Sequence, residues 1–270
     1  MDISNFGDSH KTYIMGILNV TPDSFSDGGS YTNLSSALRR AEEMVSEGVD
    51  IIDIGGESTR PGYTPVDADE EAERVIPVVK EIRKYLNIPI SVDTYKSSVA
   101  KKALDAGADI INDIWGFRQD PQMAKVAAEY GALCVLMHNS DDTFYGDLIT
   151  DVARELGESV RIALEAGVRR DRIILDPGIG FGKTLEQNLE IIRHLSDFTN
   201  MGYPILVGAS RKSVIFKTLG ITPAEGDPAT CAISVMSAQA GARFVRVHNV
   251  KMNAMAIRMT EGIMYGTGNQ

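Results

Sequence analysis

The most constraining feature of this chain is an alternation that runs along nearly its whole length. Eight short apolar, β-rich runs each give way to a longer stretch whose apolar residues recur at helical spacing. The runs are Tyr13–Asn19, Ile51–Gly55, Ile90–Asp93, Ile110–Asp113, Leu133–His138, Ile173–Asp176, Ile205–Gly208 and Phe244–His248. The first helical stretch carries Leu34, Ala37, Leu38, Ala41, Met44 and Val45 on one face. The second carries Ala72, Val75, Ile76, Val79 and Ile82, opens on Asp69, Glu70 and Glu71, and holds Pro77, which is expected to kink it. Further helices are expected near Lys96–Ala106, Gln122–Tyr130, Leu148–Ala166, Leu185–Leu195, Ala229–Ala240 and Lys251–Met259.

Eight strand–helix units in 270 residues predict an α/β fold, a closed (β/α)8 TIM barrel. An open doubly wound sheet shares the alternation. The polar residues favour the barrel. Asn19, Asp93, Asn112, Asp176 and His248 each stand at or just past the C-terminal end of an apolar run, with Glu57 and Lys212 slightly beyond theirs. Buried strands that repeatedly end in polar groups are what a barrel with one active face requires. No linker, charge block or internal repeat divides the chain, so residues 1–270 read as a single domain. Residues 1–10 and 265–270 are expected to be mobile tails.

Composition narrows the functional classes. Hydrophobic residues at 43% and charged residues at 24% exclude a disordered or fibrous chain. The 37 acidic against 27 basic residues give a net charge of -10, which argues against a nucleic-acid partner. The balance does not exclude a small anionic substrate. Arg60, Arg211, Lys212, Arg246 and His248 are expected around one barrel mouth, and screening over about 8 Å at physiological salt lets them outweigh the distant acidic surface. Cys134 and Cys231 read as two reduced thiols. No apolar stretch has membrane length and no signal-peptide pattern opens the chain, so the expected setting is the cytoplasm with no membrane partner.

Several residue sets carry possible chemistry. Arg246 and His248 are two apart in a strand and share one face, while Val245 and Val247 share the other. A phosphate suits that pair, and a structural Arg–carboxylate pair is the alternative. Asp93, Asn112 and Asp176 converge at strand ends. They could bind a metal, cap the following helices, or read a flat heterocycle rich in N–H donors. The segment Pro177–Thr184 invites a phosphate-loop reading, which fails because Pro177 stands where the first glycine is required. It reads instead as a flexible Gly-rich loop holding Phe181 near the site. Gly208–Ser213 enters a helix, whose first N–H groups and the Ser213 hydroxyl suit a carboxylate or phosphate. Two polar, glycine-containing loops, 19–29 and 56–62, suit lids. His138 is a candidate base, although a hydrogen-bonded strand-end histidine is the plainer reading. His10 and His194 read as surface residues and Trp115 as packing.

These blocks, in this order, resemble the dihydropteroate synthases of the bacterial folate pathway. The resemblance rests on Asn19–Gly29, Glu57–Gly62, Ser91–Thr94, Ile111–Asp113, Asp176–Lys183, Ser210–Ser213 and Arg246–His248. It implies a (β/α)8 barrel that forms a homodimer. It implies a Mg2+-dependent joining of 6-hydroxymethyl-7,8-dihydropterin diphosphate to p-aminobenzoate, with pyrophosphate released and sulfonamides as inhibitors. By motif match, Asp93, Asn112, Asp176 and Lys212 would bind the pterin. Arg246 would stack on it and, with His248 and Asn19, hold the diphosphate, Asn19 also ligating Mg2+. Thr59, Arg60, Pro61, Phe181, Lys212 and Ser213 would shape the p-aminobenzoate site, and Asp93, Lys212, Arg246 and His248 would serve catalysis. Two places depart from the pattern. Residues 139–142 read Asn-Ser-Asp-Asp where the family has Met and a Gly/Pro-containing turn, and Asn249 replaces a common Asp, removing a carboxylate that could tune His248. A methyltetrahydrofolate-dependent methyltransferase would share the barrel and the pterin-binding acids, but would not be expected to carry the Ser58–Gly62 and Ser210–Ser213 blocks. A pterin-binding paralogue without synthase activity should have lost loop or phosphate residues, and a pure scaffold leaves the polar strand ends unexplained.

Overall fold

The structure is a computed structural model, described for residues 6, 8, 10–21, 30–57 and 66–266, with backbone alone at 30–33. Strands and helices alternate: β1 (Tyr13–Asn19), α1 (Ser30–Glu47), β2 (Ile51–Gly55), α2 (Ala68–Tyr85), β3 (Ile90–Asp93), α3 (Ser97–Asp105), β4 (Ile110–Asp113), α4 (Met123–Tyr130) and β5 (Leu133–Met137). Then follow α5 (Leu148–Glu165), β6 (Ile173–Asp176), α6 (Leu185–Arg193), α7 (Leu195–Thr199), β7 (Leu206–Val207), α8 (Ser213–Leu219), α9 (Asp227–Gln239), β8 (Phe244–Val247) and α10 (Val250–Tyr265).

All eight strands are parallel, in the order β6-β5-β4-β3-β2-β1-β8-β7. The two ends of that sheet meet at a single bridge between Leu175 and Ile205, which closes the barrel. The open-sheet alternative is therefore set aside. Five strands have the expected bounds. β5 and β8 stop one residue short of His138 and His248, and β7 shrinks to two residues because Ile205 and Gly208 belong to the seam and to the following turn.

Side chains that point into the barrel fall into two zones. Met15, Ile51, Ile110, Leu133, Val135, Ile174, Leu206 and Phe244 fill the lower part. Phe6 closes the bottom, edge-on to Tyr13 and Phe244 with centroids at 4.8 and 5.4 Å. Arg243 also donates to the carbonyls of Phe6 and Asp8. This part of the N-terminal segment is therefore packed, against the expectation of a loose tail. Parallel register then sets the polar upper zone. Asn19 pairs with Gly55, Gly55 with Asp93 and Asp93 with Asn112, so these four residues form one row across four strands.

The helices cover the outside. α2 runs continuously through Pro77, with Asp67 as its N-cap and Ala72, Val75, Val78, Val79 and Ile82 buried. The expected single helix over 185–195 is two helices, α6 and α7, that turn at His194. Thr184 and Gln187 form a capping box at the start of α6. α10 continues six residues past Met259, to Tyr265.

Candidate active site

The centre of the mouth is a guanidinium between two carboxylates. Arg246 of β8 donates from Nε to Asp53 Oδ2 and from Nη2 to Asp93 Oδ2, both at 2.6 Å. Asn112 Nδ2 donates to the same Asp53 oxygen at 3.3 Å. Asp53 is fully buried, and Asp93 nearly so. One guanidinium cannot neutralise two carboxylates. Burial, with Asp53 adding to it, pushes Asp93 up to about 7 against the pull of Arg246. Burial alone would weaken the charge of Arg246, but Asp53 and Asp93 hold it above its ordinary range. The structural Arg–carboxylate pair weighed for Arg246 is present, and it lies inside the mouth.

Asp53 Oδ1 and Asp93 Oδ1 are buried and have no hydrogen-bond partner among the described residues. An orphaned buried acceptor costs on the order of 1–3 kcal/mol, so a site that keeps two of them is built for a ligand with N–H donors.

The far wall comes from β6 and β7. Asp176 accepts from Gly178 N at 2.7 Å through Oδ1, and burial raises its pKa against the pull of Lys212. Lys212 Nζ donates to Ile179 O at 2.7 Å and lies 4.5 Å from the centroid of Phe181. Burial and Arg246 push Lys212 down to about 8, while Asp176 and Asp93 oppose them. His248 Nδ1 lies 2.9 Å from Ser210 Oγ, which also accepts from His248 N at 3.1 Å. Ser213 opens α8. Between Ser210 and Ser213, Arg211 sits at φ 54°, a strained value for a side chain with a Cβ. A bidentate pair with Asp227, at 2.8 and 2.9 Å, holds its guanidinium.

The structure thus gathers Asp93, Asn112, Asp176, Lys212, Arg246, His248, Asn19, Phe181 and Ser213 on the C-terminal side of the strands. Thr59, Arg60 and Pro61, with residues 22–29 of the first loop, lie outside the described residues. Asn249 caps α10 by accepting from Met252 N at 3.1 Å. The expected loss of a carboxylate near His248 needs correction. Asn249 also donates to Asp227, and Asp227 is held down by Arg211 and, to a smaller degree, by His248. His138 is no base facing a substrate. It is buried and pushed down to about 2 by burial, Lys183 and Arg118; its Nδ1 lies 2.8 Å from Lys183 Nζ, and its Nε2 has no hydrogen-bond partner among the described residues.

Sequence reasoning missed Asp53 and the role of Glu57. A carboxylate inside Ile-Ile-Asp-Ile-Gly, on the inward period of the strand, was the available signal. Glu57 Oε2 accepts from Val66 N at 2.9 Å and from Lys96 Nζ at 2.5 Å, and Lys96 also pairs with Glu71. Glu57 therefore ties the start of the second loop to its return.

Fold and site together define a barrel protein of the enzyme-bearing (β/α)8 type whose mouth offers buried acceptors beside two cations. A sequence profile of the family described as "Pterin binding enzyme" matches residues 15–248. The dihydropteroate synthase of Clostridium beijerinckii is 52% identical over 260 residues, covering 96% of this chain and 97% of that one. A dihydropteroate synthase from Clostridium difficile, solved in the presence of pteroic acid, superposes with a TM-score of 0.92 at 51% identity over 94% of this chain and 97% of that one. The Xanthomonas albilineans enzyme, solved with 4-aminobenzoic acid, superposes with a TM-score of 0.91 at 39% identity over 95% and 94%. The chain belongs to the dihydropteroate synthases of the pterin-binding enzyme family.

Proposed function

We propose that this enzyme, a transferase, joins 6-hydroxymethyl-7,8-dihydropterin diphosphate to p-aminobenzoate and releases pyrophosphate. The observation that carries the reading is the set of buried acceptors in one mouth: the free oxygens of Asp53 and Asp93 beside Asn112 and Asp176, with Lys212 and Arg246 among them. The amino-pyrimidinone edge of a pterin offers parallel N–H donors to a carboxylate such as Asp176, and the Asn112 amide can both donate and accept. Lys212 would meet a ring carbonyl or nitrogen.

Arg246 keeps Nε and Nη2 on carboxylates and has Nη1 left, among the described residues, for an incoming phosphate oxygen. It would stack on the pterin and hold the diphosphate together with His248 and Asn19. Phe181, Lys212 and Ser213, with Thr59, Arg60 and Pro61, would form the p-aminobenzoate site. The start of α8 and the Ser213 hydroxyl would take its carboxylate.

Among the described residues no group of three or more His, Cys, Asp or Glu side chains could cage a metal. Asn19 stands at the end of the row that carries Asp93, and its amide oxygen suits a hard cation that takes its remaining oxygens from a diphosphate. Mg2+ held there by Asn19 would supply neutralisation of the leaving group. The chain's own residues would do the rest. Arg246 and His248 stabilise charge as the methylene C–O bond breaks and its electron pair leaves with the diphosphate. The Asp93 carboxylate and the conjugated dihydropterin stabilise the cationic methylene. The arylamine nitrogen then forms the C–N bond and gives its proton to the released pyrophosphate or to solvent. Loops closed over the mouth would keep out water that competes with the amine. No enzyme nucleophile is required.

Sulfonamides, which mimic p-aminobenzoate, would compete for its site. A homodimer is supported by α10, where Met252, Met255, Met259 and Ile263 line one exposed face at spacings of three and four. A cytoplasmic setting accords with the two free cysteines, and no described helix is long and apolar enough to cross a membrane.

Calorimetric titration with the bare pterin alcohol and with its diphosphate tests the site. The diphosphate is expected to bind at least about tenfold more tightly, and Arg246→Ala to abolish most of that difference while the alcohol loses less. Equal losses for both ligands would remove the phosphate role of Arg246, and binding of neither ligand by the wild type would contradict the pterin site.

A further inference from the structure

The geometry points to Lys183 as a positioning residue: with His138 it latches the 178–182 loop against the end of β5, and so presents Phe181 to the p-aminobenzoate. This inference rests on the function proposed above, and it accounts for the one part of the Gly-rich segment that the function leaves unexplained.

The loop lies backbone against backbone on residues 138–140. Gly178, at φ 73°, and Gly182, at φ 54°, leave no room for a Cβ, which would meet the His138 carbonyl in one case and the Ser140 backbone in the other. Lys183 Nζ closes this contact from its far end. It lies 2.8 Å from His138 Nδ1, 3.1 Å from Gly178 O and 3.0 Å from Phe181 O. One ammonium thus joins the first turn of the loop, the carbonyl of Phe181 and the neighbouring strand end. Tyr145 Oη adds a bond to Gly182 O at 2.7 Å, and Asn188 Oδ1 accepts from Gly180 N at 2.5 Å.

Lys183 as the ammonium donates to all three of its acceptors when the His138 proton sits on Nε2, which lies 3.2 Å from Glu155 Oε2 without forming a hydrogen bond to it. Glu155 is held in turn by Arg118 at 3.1 Å, and Arg118 also donates to Asn139 O at 2.5 Å. On its other side the loop carries Lys212, bonded to Ile179 O and over the Phe181 ring. A chain of contacts therefore runs from Arg118 through Glu155, His138 and Lys183 to the wall of the site.

The charged and titratable groups around Lys183 are His138 at β5, Asp176 at β6, Lys212 before α8, Glu155 on α5, Arg118 after β4 and Tyr145. Burial, Lys212 and Arg118 lower the Lys183 pKa to about 7, against Asp176 and Glu155. Above that pH the latch loses its charge: the neutral amine donates two ordinary hydrogen bonds and can at most accept the third from His138, all weaker than the charge-assisted set.

The test uses the full chain. Hydrogen exchange without substrate reads the loop directly, and steady-state kinetics reads its effect. In Lys183→Met, exchange over 178–182 should quicken by about tenfold or more, with α10 unchanged, because buried hydrogen bonds are removed. The KM for p-aminobenzoate should rise by about tenfold, with kcat and pterin affinity within about threefold. In the wild type, protection of this loop relative to the rest of the barrel should fall between about pH 6 and about pH 9, and Lys183→Arg, charged throughout, should flatten that fall. This series needs no folded Lys183→Met protein. Unchanged exchange in Lys183→Met, protection independent of pH in the wild type, or an equal rise in KM for both substrates would each overturn the latch. Exchange is read without turnover, so the latch can fail while the synthase reading stands, and the reverse.

Discussion

At the scale of single residues, the site is a problem in sharing protons. Arg246 faces two carboxylates, and Lys212 faces Asp176 and Asp93 from the opposite wall. Asp93, raised to about 7, must lose its proton to act as an anion, so activity falls as pH drops below that value. Lys212, lowered to about 8, must keep its proton, so activity falls as pH rises above that value. The profile of kcat/KM for the pterin substrate is therefore expected to be bell-shaped, with limbs near these two values. An acid limb near the ordinary Asp value would show that Asp93 is not the group being titrated. Asp93, Asn112 and Asp176 were legible in the sequence because they end apolar runs, where a polar residue stands out. Asp53 was not, because it lies mid-strand and only the period of the inward face marks it. The Lys183–His138 contact was not legible either, since it joins residues that follow two different strands.

At the scale of elements, strand positions were written clearly and helix ends were not. A strand in this barrel is covered on both faces, so it reads as a short apolar run with sharp limits. Helix ends are set by caps and turns, as where the chain turns at His194 between α6 and α7. α10 carries the element-scale prediction. Met255, Met259 and Ile263 are 67%, 65% and 72% exposed, which is costly for a face that meets only water. Replacing Met255 and Met259 together with Glu is expected to halve the mass seen in sedimentation and leave the circular dichroism of the barrel unchanged, because a charge in an interface core costs about 2 kcal/mol or more. A wild type that sediments as a monomer, or a variant that still sediments as a dimer, would contradict the proposed dimer face.

At the scale of the whole molecule, the barrel separates two tasks. Its lower half is apolar and closed by Phe6, and its upper half carries the charged groups. The seam between β6 and β7 has only one bridge, and the Gly-rich loop and the Gly208–Ser213 turn both leave the barrel beside it. The net charge of -10 is a sum over the whole chain, while Asp53, Asp93 and Asp176 share the mouth with Lys212, Arg246 and His248, so overall charge says little about what the site accepts. Joining two small molecules and expelling a third is the work proposed for this mouth. Pyrophosphate release is the direct measurement, with the pterin diphosphate, p-aminobenzoate and Mg2+ present together and then each omitted. Release is expected to require all three and to match the dihydropteroate formed. Binding of the pterin with no release above the enzyme-free control would contradict the proposed reaction and would leave a pterin-binding protein without synthase activity.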